Sequence, residues 1–174
     1  MPTPDRTSYA EIVAAGRDLL EEAGAAGLTM QRVADRVGVR APSLYKRVRD
    51  RDALVSAVAA STVDALTDRL EASDGSLESL ARIYRDFARE RPEGFRLMFS
   101  ATAPQTALDR AGATIVRAAA GVVGEEDALD AARVVTAWAT GFVQMELARA
   151  FRMGGDIDEA FEFGLRTIQR GLGR

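Results

Sequence analysis

Residues 28–54 read LTMQRVADRVGVRAPSLYKRVRDRDAL and contain two short amphipathic segments on either side of one glycine, Gly38. Thr29 is a residue type that caps helix N-termini. The apolar residues after it recur at helical spacing: Met30, Val33, Ala34 and Val37. Pro42 suits the first position of a further helix over residues 43–48. Two short helices joined by a tight turn predict a helix-turn-helix motif.

The second of these short helices has the composition needed to enter a DNA major groove. Leu44 would turn inward with Val48, which leaves a polar outer side. That outer side comprises Arg40, Ser43, Lys46 and Arg47. The major groove is about 12 Å wide and admits one helix, while the preceding helix crosses the phosphate backbone. We therefore expect double-stranded DNA as a partner.

The charge distribution supports a nucleic-acid interface in an otherwise acidic chain. The net charge of the 174 residues is −3. Residues 28–51, the basic segment, hold seven Arg or Lys and two Asp, a balance of +5, so the other 150 residues carry −8. A compact basic patch is typical of a DNA-binding surface. A solvated charged face would explain the charge balance equally well.

The sequence contains no cysteine and no histidine. This absence excludes disulfides, nucleophiles of either type and zinc sites made from these ligands. It also removes the most common general base, and Lys46 is the single lysine. No pair of catalytic groups stands out, so we expect no enzymatic activity, no metal and no cofactor.

The rest of the chain shows helical periodicity nearly throughout, and no segment has the composition of a strand. Ser8, with Glu11 three residues later, predicts a capping box at the start of a first helix over residues 8–23. Asp50 is expected to cap a long fourth helix that reaches residue 72. Further helices are predicted over residues 77–89, 92–99, 104–121, 128–152 and 156–171.

Residues 28–54 resemble the DNA-binding domain of the TetR family of transcriptional regulators. The upstream helix fits the same pattern with Ile12, Ala15, Leu19, Leu20 and Gly24. From the resemblance, the residues at the DNA interface are Thr29, Arg40, Ser43, Tyr45, Lys46, Arg47 and Arg51. Thr29 and Tyr45 would contact phosphates. Arg51 stands where the family usually has a lysine that grips the DNA backbone.

Other roles remain open at several of these positions. Arg47 stands where the family commonly has histidine, and arginine can bind either a phosphate or a guanine. Tyr45 can instead pack against the first helix. Arg49 and Arg51 can simply flank the cap of the fourth helix, and Arg36 is expected to be a solvated surface charge.

Residues 136–151, TAWATGFVQMELARAF, resemble the eighth helix of a TetR subfamily with a Trp-His-Gly C-terminal domain. Trp138 and Gly141 match that pattern, and Thr140 replaces its histidine. By analogy, the last two helices form a homodimer interface, where Gly141 and Gly164 would allow close backbone approach. The apolar faces of these helices comprise Trp138, Gly141, Phe142, Met145, Ala148, Phe151, Phe161, Gly164, Leu165 and Ile168. They can also complete the core of one chain.

The middle helices are expected to enclose a pocket for a small-molecule effector. The candidate lining residues are Tyr84, Phe87, Phe95, Met98, Phe99, Trp138, Phe142 and Met145. Aromatic and methionine side chains line ligand pockets, but at helical spacing they also form an ordinary core. Gln144 and Glu146 would either orient a polar effector or lie exposed.

These inferences combine in one hypothesis about fold and function. We predict an all-α fold with an N-terminal three-helix helix-turn-helix domain, residues 1–52. The long fourth helix links it to a C-terminal helical domain for ligand binding and dimerisation, residues 53–174. The chain would be a repressor that a small-molecule effector releases from its DNA operator. The alternatives are an all-helical small-molecule-binding protein or enzyme without DNA binding, and a protein-interaction module.

The expected location is the cytoplasm. Residues 1–6, MPTPDR, contain no apolar signal segment. No apolar run approaches the ~20 residues that a membrane-spanning helix needs, so we expect no membrane partner.

Overall fold

The computed structural model describes residues 7–100 and 103–173. Within these ranges the chain forms helices and no strand, which confirms the predicted all-α class. The helices are α1 (Tyr9–Gly27), α2 (Met30–Arg36), α3 (Ala41–Leu44), α4 (Arg51–Glu71), α5 (Leu77–Glu90), α6 (Pro92–Met98), α7 (Gln105–Val123), α8 (Ala128–Leu147) and α9 (Ile157–Leu172). None of them, over the described residues, is long and apolar enough to cross a membrane. Residues 1–6, which carry the expectation about a signal segment, lie outside the described part.

The two ends of α1 follow local signals in the sequence. Oγ of Ser8 accepts a hydrogen bond from the Glu11 amide at 3.1 Å, and the Glu11 carboxylate accepts one from the Ser8 amide at 2.6 Å. The predicted capping box is therefore confirmed. Gly24 interrupts the helix with a φ of 65°, a conformation that glycine adopts without steric cost. A final turn follows to Gly27, so α1 extends beyond the predicted end at residue 23.

α3 and α8 also differ from their predicted ranges. α3 runs from Ala41 to Leu44 and not over residues 43–48. It starts earlier because Pro42 lies within its first turn, after the N-cap residue Arg40, where the missing N–H costs no hydrogen bond. α8 ends at Leu147 and not at residue 152, since Arg149 adopts a left-handed φ of 53°. The chain then turns back so that the ring centroids of Phe151 and Phe142 lie 4.8 Å apart. This aromatic contact joins residues on either side of the helix end.

The chain divides into two compact units. The first contains the residues up to Ala65 together with Arg91–Leu108, and the second contains Leu66–Glu90 and the residues from Asp109 onward. The division therefore falls within α4, and α6 belongs to the first unit. The core of the first unit is built from α1, α2, α3, α4 and α6, with Ile12, Leu20, Val33, Leu44, Leu54, Val58 and Leu97 among its buried residues.

Glu21 of α1 holds α6 in place within the first unit. Its carboxylate accepts hydrogen bonds from the backbone amides of Glu93, at 3.1 Å, and Gly94, at 2.8 Å. These amides lie in the first turn of α6 and have no partner within the helix. A negative charge at that end is also favoured by the helix dipole. Glu21 thus supplies from another helix the N-terminal cap that α6 lacks locally.

In the second unit, α9 packs closely on α8 at Gly164. A Cβ atom at Gly164 would lie 2.5 Å from Cζ2 and 3.0 Å from Cε2 of Trp138. The indole is itself stacked on Phe161, with ring centroids 5.1 Å apart, so it has little freedom to move aside. Gly141, in contrast, has no atom within 4 Å of a Cβ position. Gly164 therefore serves the close approach of two helices of the same chain.

The Gly164→Ala variant is expected to lower the free energy of unfolding by up to about 2 kcal/mol. Overpacking costs about 1–3 kcal/mol, and the higher helix propensity of alanine offsets about 1 kcal/mol of that cost. Gly112 of α7 is the matched control because a Cβ there has open space, so Gly112→Ala should raise stability by up to about 1 kcal/mol. Urea unfolding measures both variants. Equal stabilities of the two variants would contradict the packing at Trp138.

Candidate nucleic-acid interface

The turn between α2 and α3 is defined by a cap and a glycine. Oγ1 of Thr29 accepts a hydrogen bond from the Arg32 amide at 3.3 Å, so Thr29 caps α2 as predicted. Gly38 adopts a φ of 72°, which favours glycine. The amide of Val39 donates to the carbonyl of Ala34 at 2.9 Å and closes the turn. Residues 37–40 thus join two short helices in the geometry of a helix-turn-helix motif.

Apolar and polar side chains separate on α3 and the turn that follows it. Leu44 is fully buried and Val48 is 3 % exposed, which confirms their predicted inward orientation. Arg40, Ser43 and Lys46 are exposed. Tyr45 is 53 % exposed, so about half of its side chain faces solvent. One short segment therefore presents cationic and hydroxyl groups on its outer side while its apolar side chains enter the core of the first unit.

Several arginines of the basic segment are engaged within the chain. Arg36 forms a bidentate ion pair with Glu22, with N···O distances of 3.0 and 2.6 Å. Arg32 donates to a backbone carbonyl at the end of α1. Arg49 pairs with Asp50 at 2.7 Å. These contacts reduce the number of basic side chains that are available to another molecule.

Arg51 connects the start of α4 to the end of α1. Its Nε donates to the carbonyl of Leu28 at 2.9 Å, and one terminal nitrogen donates to the carbonyl of Ala25 at 2.6 Å. Unlike Arg51, the residues Arg40 and Lys46 form no ion pair or side-chain hydrogen bond with any residue in the described ranges. Their charges are thus not neutralised within the described part of the first unit.

Arg47 lies at the edge of this surface and is only partly exposed, unlike Lys46 beside it. The pKa of Glu11 is lowered first by the hydrogen bond from the Ser8 amide, with a smaller contribution from the positive charge of Arg47. Arg47, unlike Lys46, is therefore not fully on the exposed outer side that the sequence predicted.

A small cavity lies in the second unit among α4, α5, α7 and α8. Its volume is about 30 Å³. The lining residues are Leu70, Leu77, Leu80, Ala81, Tyr84, Ile115, Val135, Thr136 and Ala139. The hydroxyl of Tyr84 lies 2.7 Å from Oγ1 of Thr140, and burial raises the pKa of Tyr84 to about 12 despite this hydrogen bond. Tyr84 is the one residue of the predicted pocket set that lines this cavity.

The other predicted pocket residues occupy different places. Phe95 and Met98 are buried in the first unit, and Phe99, at the end of α6, is 51 % exposed. Phe87 is buried in the second unit, and Met145 is 46 % exposed on α8. The predicted set therefore combines side chains from both units, because apolar periodicity marks a buried face without identifying its neighbours.

Trp138 and Phe142 form an aromatic cluster with Phe161 of α9. The Phe161 ring centroid lies 5.1 Å from that of Trp138 and 5.2 Å from that of Phe142. The guanidinium carbon of Arg85 lies 4.5 Å from the centroid of Phe161, within the range of a cation–π contact. These aromatic residues join α8 to α9 in the core of the second unit.

An ionic cluster around the buried Arg85–Glu146 pair of the second unit was not predicted from the sequence. Arg85 is 5 % exposed and forms a bidentate ion pair with Glu146 at 2.8 and 2.9 Å. Asp158 pairs with Arg85 at 2.8 Å, and Arg89 bonds both carboxylates. Burial alone would raise the pKa of Glu146, but the hydrogen bonds from Arg85 and Arg89 hold it below its ordinary value. Of the two polar residues considered for the effector, Glu146 is only 11 % exposed in its side chain, whereas Gln144 is exposed.

A sequence signal for this cluster exists in α5. Arg85 follows Ala81 by four residues and precedes Ala88 by three, and both alanines are buried. This spacing places a charged side chain on the apolar face of a helix. A charge at such a position needs a buried partner.

Two family models match the chain. The model for bacterial regulatory proteins of the tetR family matches residues 12–58. The model for the tetracyclin repressor-like C-terminal domain matches residues 77–168, more than half of the 174 residues. The chain belongs to the TetR family. It is a DNA-binding transcriptional regulator, and α2 and α3 are its helix-turn-helix.

Individual relatives resemble this TetR-family regulator over almost its whole length. The uncharacterised HTH-type transcriptional regulator YobS of Bacillus subtilis (strain 168) is 27 % identical over 172 residues, which cover 92 % of this chain and 90 % of YobS. A possible TetR family regulator from Streptomyces coelicolor A3(2) has a TM-score of 0.73 and 26 % identity, covering 95 % of this chain and 98 % of its own. A TetR variant from Acinetobacter baumannii AYE, solved in complex with minocycline, has a TM-score of 0.70 and 26 % identity, covering 95 % and 96 %. The likeness of residues 136–151 to the Trp-His-Gly subfamily stays a prediction.

Proposed function

We propose that this regulator is a repressor that binds a palindromic operator as a homodimer and is released by a small-molecule effector. The proposal rests mainly on the exposure of Arg40, Ser43 and Lys46 on α3 and the turn after it. A single short helix such as α3 fits into the major groove and brings hydrogen-bond donors to phosphates and base edges there. Residues 1–52 would read DNA, and residues 53–174 would bind the effector and dimerise. The regulator would act in the cytoplasm without a catalytic role.

The proposed DNA contacts are Thr29, Arg40, Ser43, Tyr45, Lys46, Arg47 and Arg51. The Thr29 hydroxyl accepts a hydrogen bond as the cap of α2, so its own proton remains available for a phosphate oxygen. Arg51 uses two N–H groups on backbone carbonyls, and a guanidinium has five. Lys46 has no ion pair within the described residues and would bind phosphate. Arg47 would bind either a phosphate or a guanine.

The proposed homodimer uses uncharged surface strips on the last two helices. On α8 and its C-cap residue, exposed residues at helical spacing form a strip without charge: Val134, Ala137, Gly141, Met145 and Ala148. On α9, the corresponding exposed residues are Ala160, Phe163, Thr167 and Gly171. The α8 strip is about 21 Å long at 1.5 Å per residue. Exposed apolar patches of this kind mark protein–protein interfaces.

The proposed effector acts through the cavity of the second unit. The A. baumannii relative in complex with minocycline supports control of this fold by a bound ligand. An effector can shift a regulator between two states only by binding one of them more tightly. We expect the effector-bound dimer to hold its two DNA-reading helices at a spacing that does not fit operator half-sites about one helical turn apart.

Salt-dependent binding to the DNA upstream of its own gene tests the DNA-binding surface. The slope of log K against log salt is about −0.9 for each phosphate contact. Lys46→Ala should therefore reduce the magnitude of the slope by about 1.8 in a dimer, in which the contact occurs twice. Fluorescence anisotropy with labelled operator and random DNA measures the slope.

Arg133→Ala is the matched control for this measurement. Arg133 is 69 % exposed on α8 and pairs only with Asp130 among the described residues, so its removal changes the net charge equally without touching the proposed surface. The slope of this variant should equal that of the wild type. An unchanged slope for Lys46→Ala would contradict the phosphate contact. Equal affinity for operator and random DNA would contradict sequence-specific binding.

A further inference from the structure

The cavity of the second unit is lined almost entirely by hydrocarbon. Seven of its nine lining residues are Leu, Ile, Val or Ala, and the other two are Tyr84 and Thr136. None of these nine residues of the described chain is charged. The part of a ligand that enters this cavity would therefore lose its hydration without meeting an ionic group.

The two polar residues that line the cavity, Tyr84 and Thr136, are neutral, and Thr140, which is outside the lining, is the hydrogen-bond partner of Tyr84. Thr136 and Thr140 are four residues apart and lie on the same face of α8. The Tyr84 hydroxyl lies 2.7 Å from Oγ1 of Thr140. Because burial raises the pKa of Tyr84 to about 12, the phenol stays protonated at neutral pH. One uncharged polar group of a ligand can bond here, as a hydroxyl or carbonyl does.

The charged groups of the Arg85 cluster in the second unit are matched to one another. The buried guanidinium of Arg85 is bonded to Glu146 and Asp158, and Arg89 shares both of these partners. A charged ligand in the cavity would find no free counter-ion among these residues. Burial of an unpaired charge is strongly unfavourable, so the cavity selects against both anions and cations.

The volume of the cavity limits the size of its ligand. A volume of about 30 Å³ is small beside the pockets of about 300–1,000 Å³ that hold drug-sized ligands. A drug-sized ligand would therefore have to displace side chains, and the displacement would grow with its size. We propose that the effector is a compact, uncharged, mainly apolar molecule whose single hydroxyl or carbonyl bonds to the Tyr84 hydroxyl at the cavity. This inference rests on the proposed role of the cavity in effector binding.

Calorimetric titration of the full chain with matched probes tests the ligand class. The probes are 1-hexanol, hexanoate and hexylamine, which share one alkyl chain, and minocycline as a large polar compound. We expect 1-hexanol to bind, and hexanoate and hexylamine to bind at least about tenfold more weakly because their charges are buried without partners. Minocycline should not bind at the concentrations at which hexanol does.

Three variants locate the bound hexanol. Tyr84→Phe should weaken hexanol binding by about tenfold through loss of one hydrogen bond. Tyr9→Phe is the matched control, because Tyr9 is 51 % exposed at the start of α1, and it should bind hexanol as the wild type does. Ala139→Leu fills the cavity and should abolish hexanol binding. Operator binding by each variant shows that it is folded.

The outcomes separate the ligand class from the proposed repressor function. Binding of hexanoate or hexylamine as tightly as hexanol, or unchanged hexanol binding by Tyr84→Phe, overturns the proposed class. Absence of hexanol binding by a chain that binds its operator also overturns it and leaves the DNA-binding role intact. Hexanol binding without release of the operator upholds the class and overturns effector control of repression.

Discussion

Replacement of Arg85 with leucine is expected to lower the free energy of unfolding by about 3 kcal/mol. Removal of one member of a buried ion pair costs about 3–5 kcal/mol, because the remaining charge stays buried. The side chain of Glu146 is 11 % exposed, and in this variant it would keep only Arg89 as an ionic partner. The guanidinium contact with the Phe161 ring would be lost as well. Urea unfolding followed by the fluorescence of Trp138 measures the effect.

Arg82→Leu is the matched control on the same helix. Arg82 also forms a bidentate pair, with Glu162 at 2.9 and 2.8 Å, but these side chains are 46 % and 32 % exposed. Solvent-exposed pairs contribute about 0–1 kcal/mol, so this variant should lose less than about 1 kcal/mol. Equal losses for the two variants would contradict a special role for burial at Arg85.

At acid pH, the wild type and Arg85→Leu should differ less in their free energy of unfolding than at neutral pH. The pKa of Glu146 in the fold lies below its ordinary value of 4.5, because the hydrogen bonds from Arg85 and Arg89 outweigh the effect of burial. A lowered carboxylate pKa contributes stability that is complete above the ordinary value and is lost as the pH falls through the lowered one. The contribution of Arg85 should therefore be full at neutral pH and decrease below about pH 4.5.

Met145→Arg and Phe163→Arg are each expected to prevent dimerisation and to weaken operator binding by at least about 100-fold. Met145 is 46 % and Phe163 62 % exposed, so the single chain can accommodate arginine at either position. In the dimer these side chains would be buried without a counter-ion. Loss of the second half-site removes an intramolecular binding step worth about 10²–10⁴ in affinity. Light scattering measures the oligomeric state, and fluorescence anisotropy measures operator binding.

Leu129→Arg is the control for these two variants. Leu129 is also an exposed apolar residue of α8, with 50 % exposure, but helical spacing places it away from the strip that contains Val134 and Met145. This variant should remain dimeric and bind the operator as the wild type does. A monomeric Leu129→Arg, or a dimeric Phe163→Arg, would contradict the proposed interface.

Local patterns in the sequence determined the helices and the helix-turn-helix of this protein. The caps at Ser8, Thr29 and Asp50 were predicted correctly, and Asp50 accepts a hydrogen bond from the Ala53 amide at 2.8 Å. The inward orientation of Leu44 and Val48 was also predicted correctly. Each of these features depends on residues within one or two helical turns, so spacing along the chain is sufficient to identify it.

Contacts between distant residues determined the interior of the second unit and the position of α6. Glu21 caps α6 from 72 residues away along the chain. Arg85 meets Glu146 from another helix, and Gly164 allows the ring of Trp138 to lie against α9. Periodicity indicates that a helix face is buried, but several helices of similar composition can cover it. Only the tertiary structure decides which of them does, because side-chain shape and charge pairing select the partner.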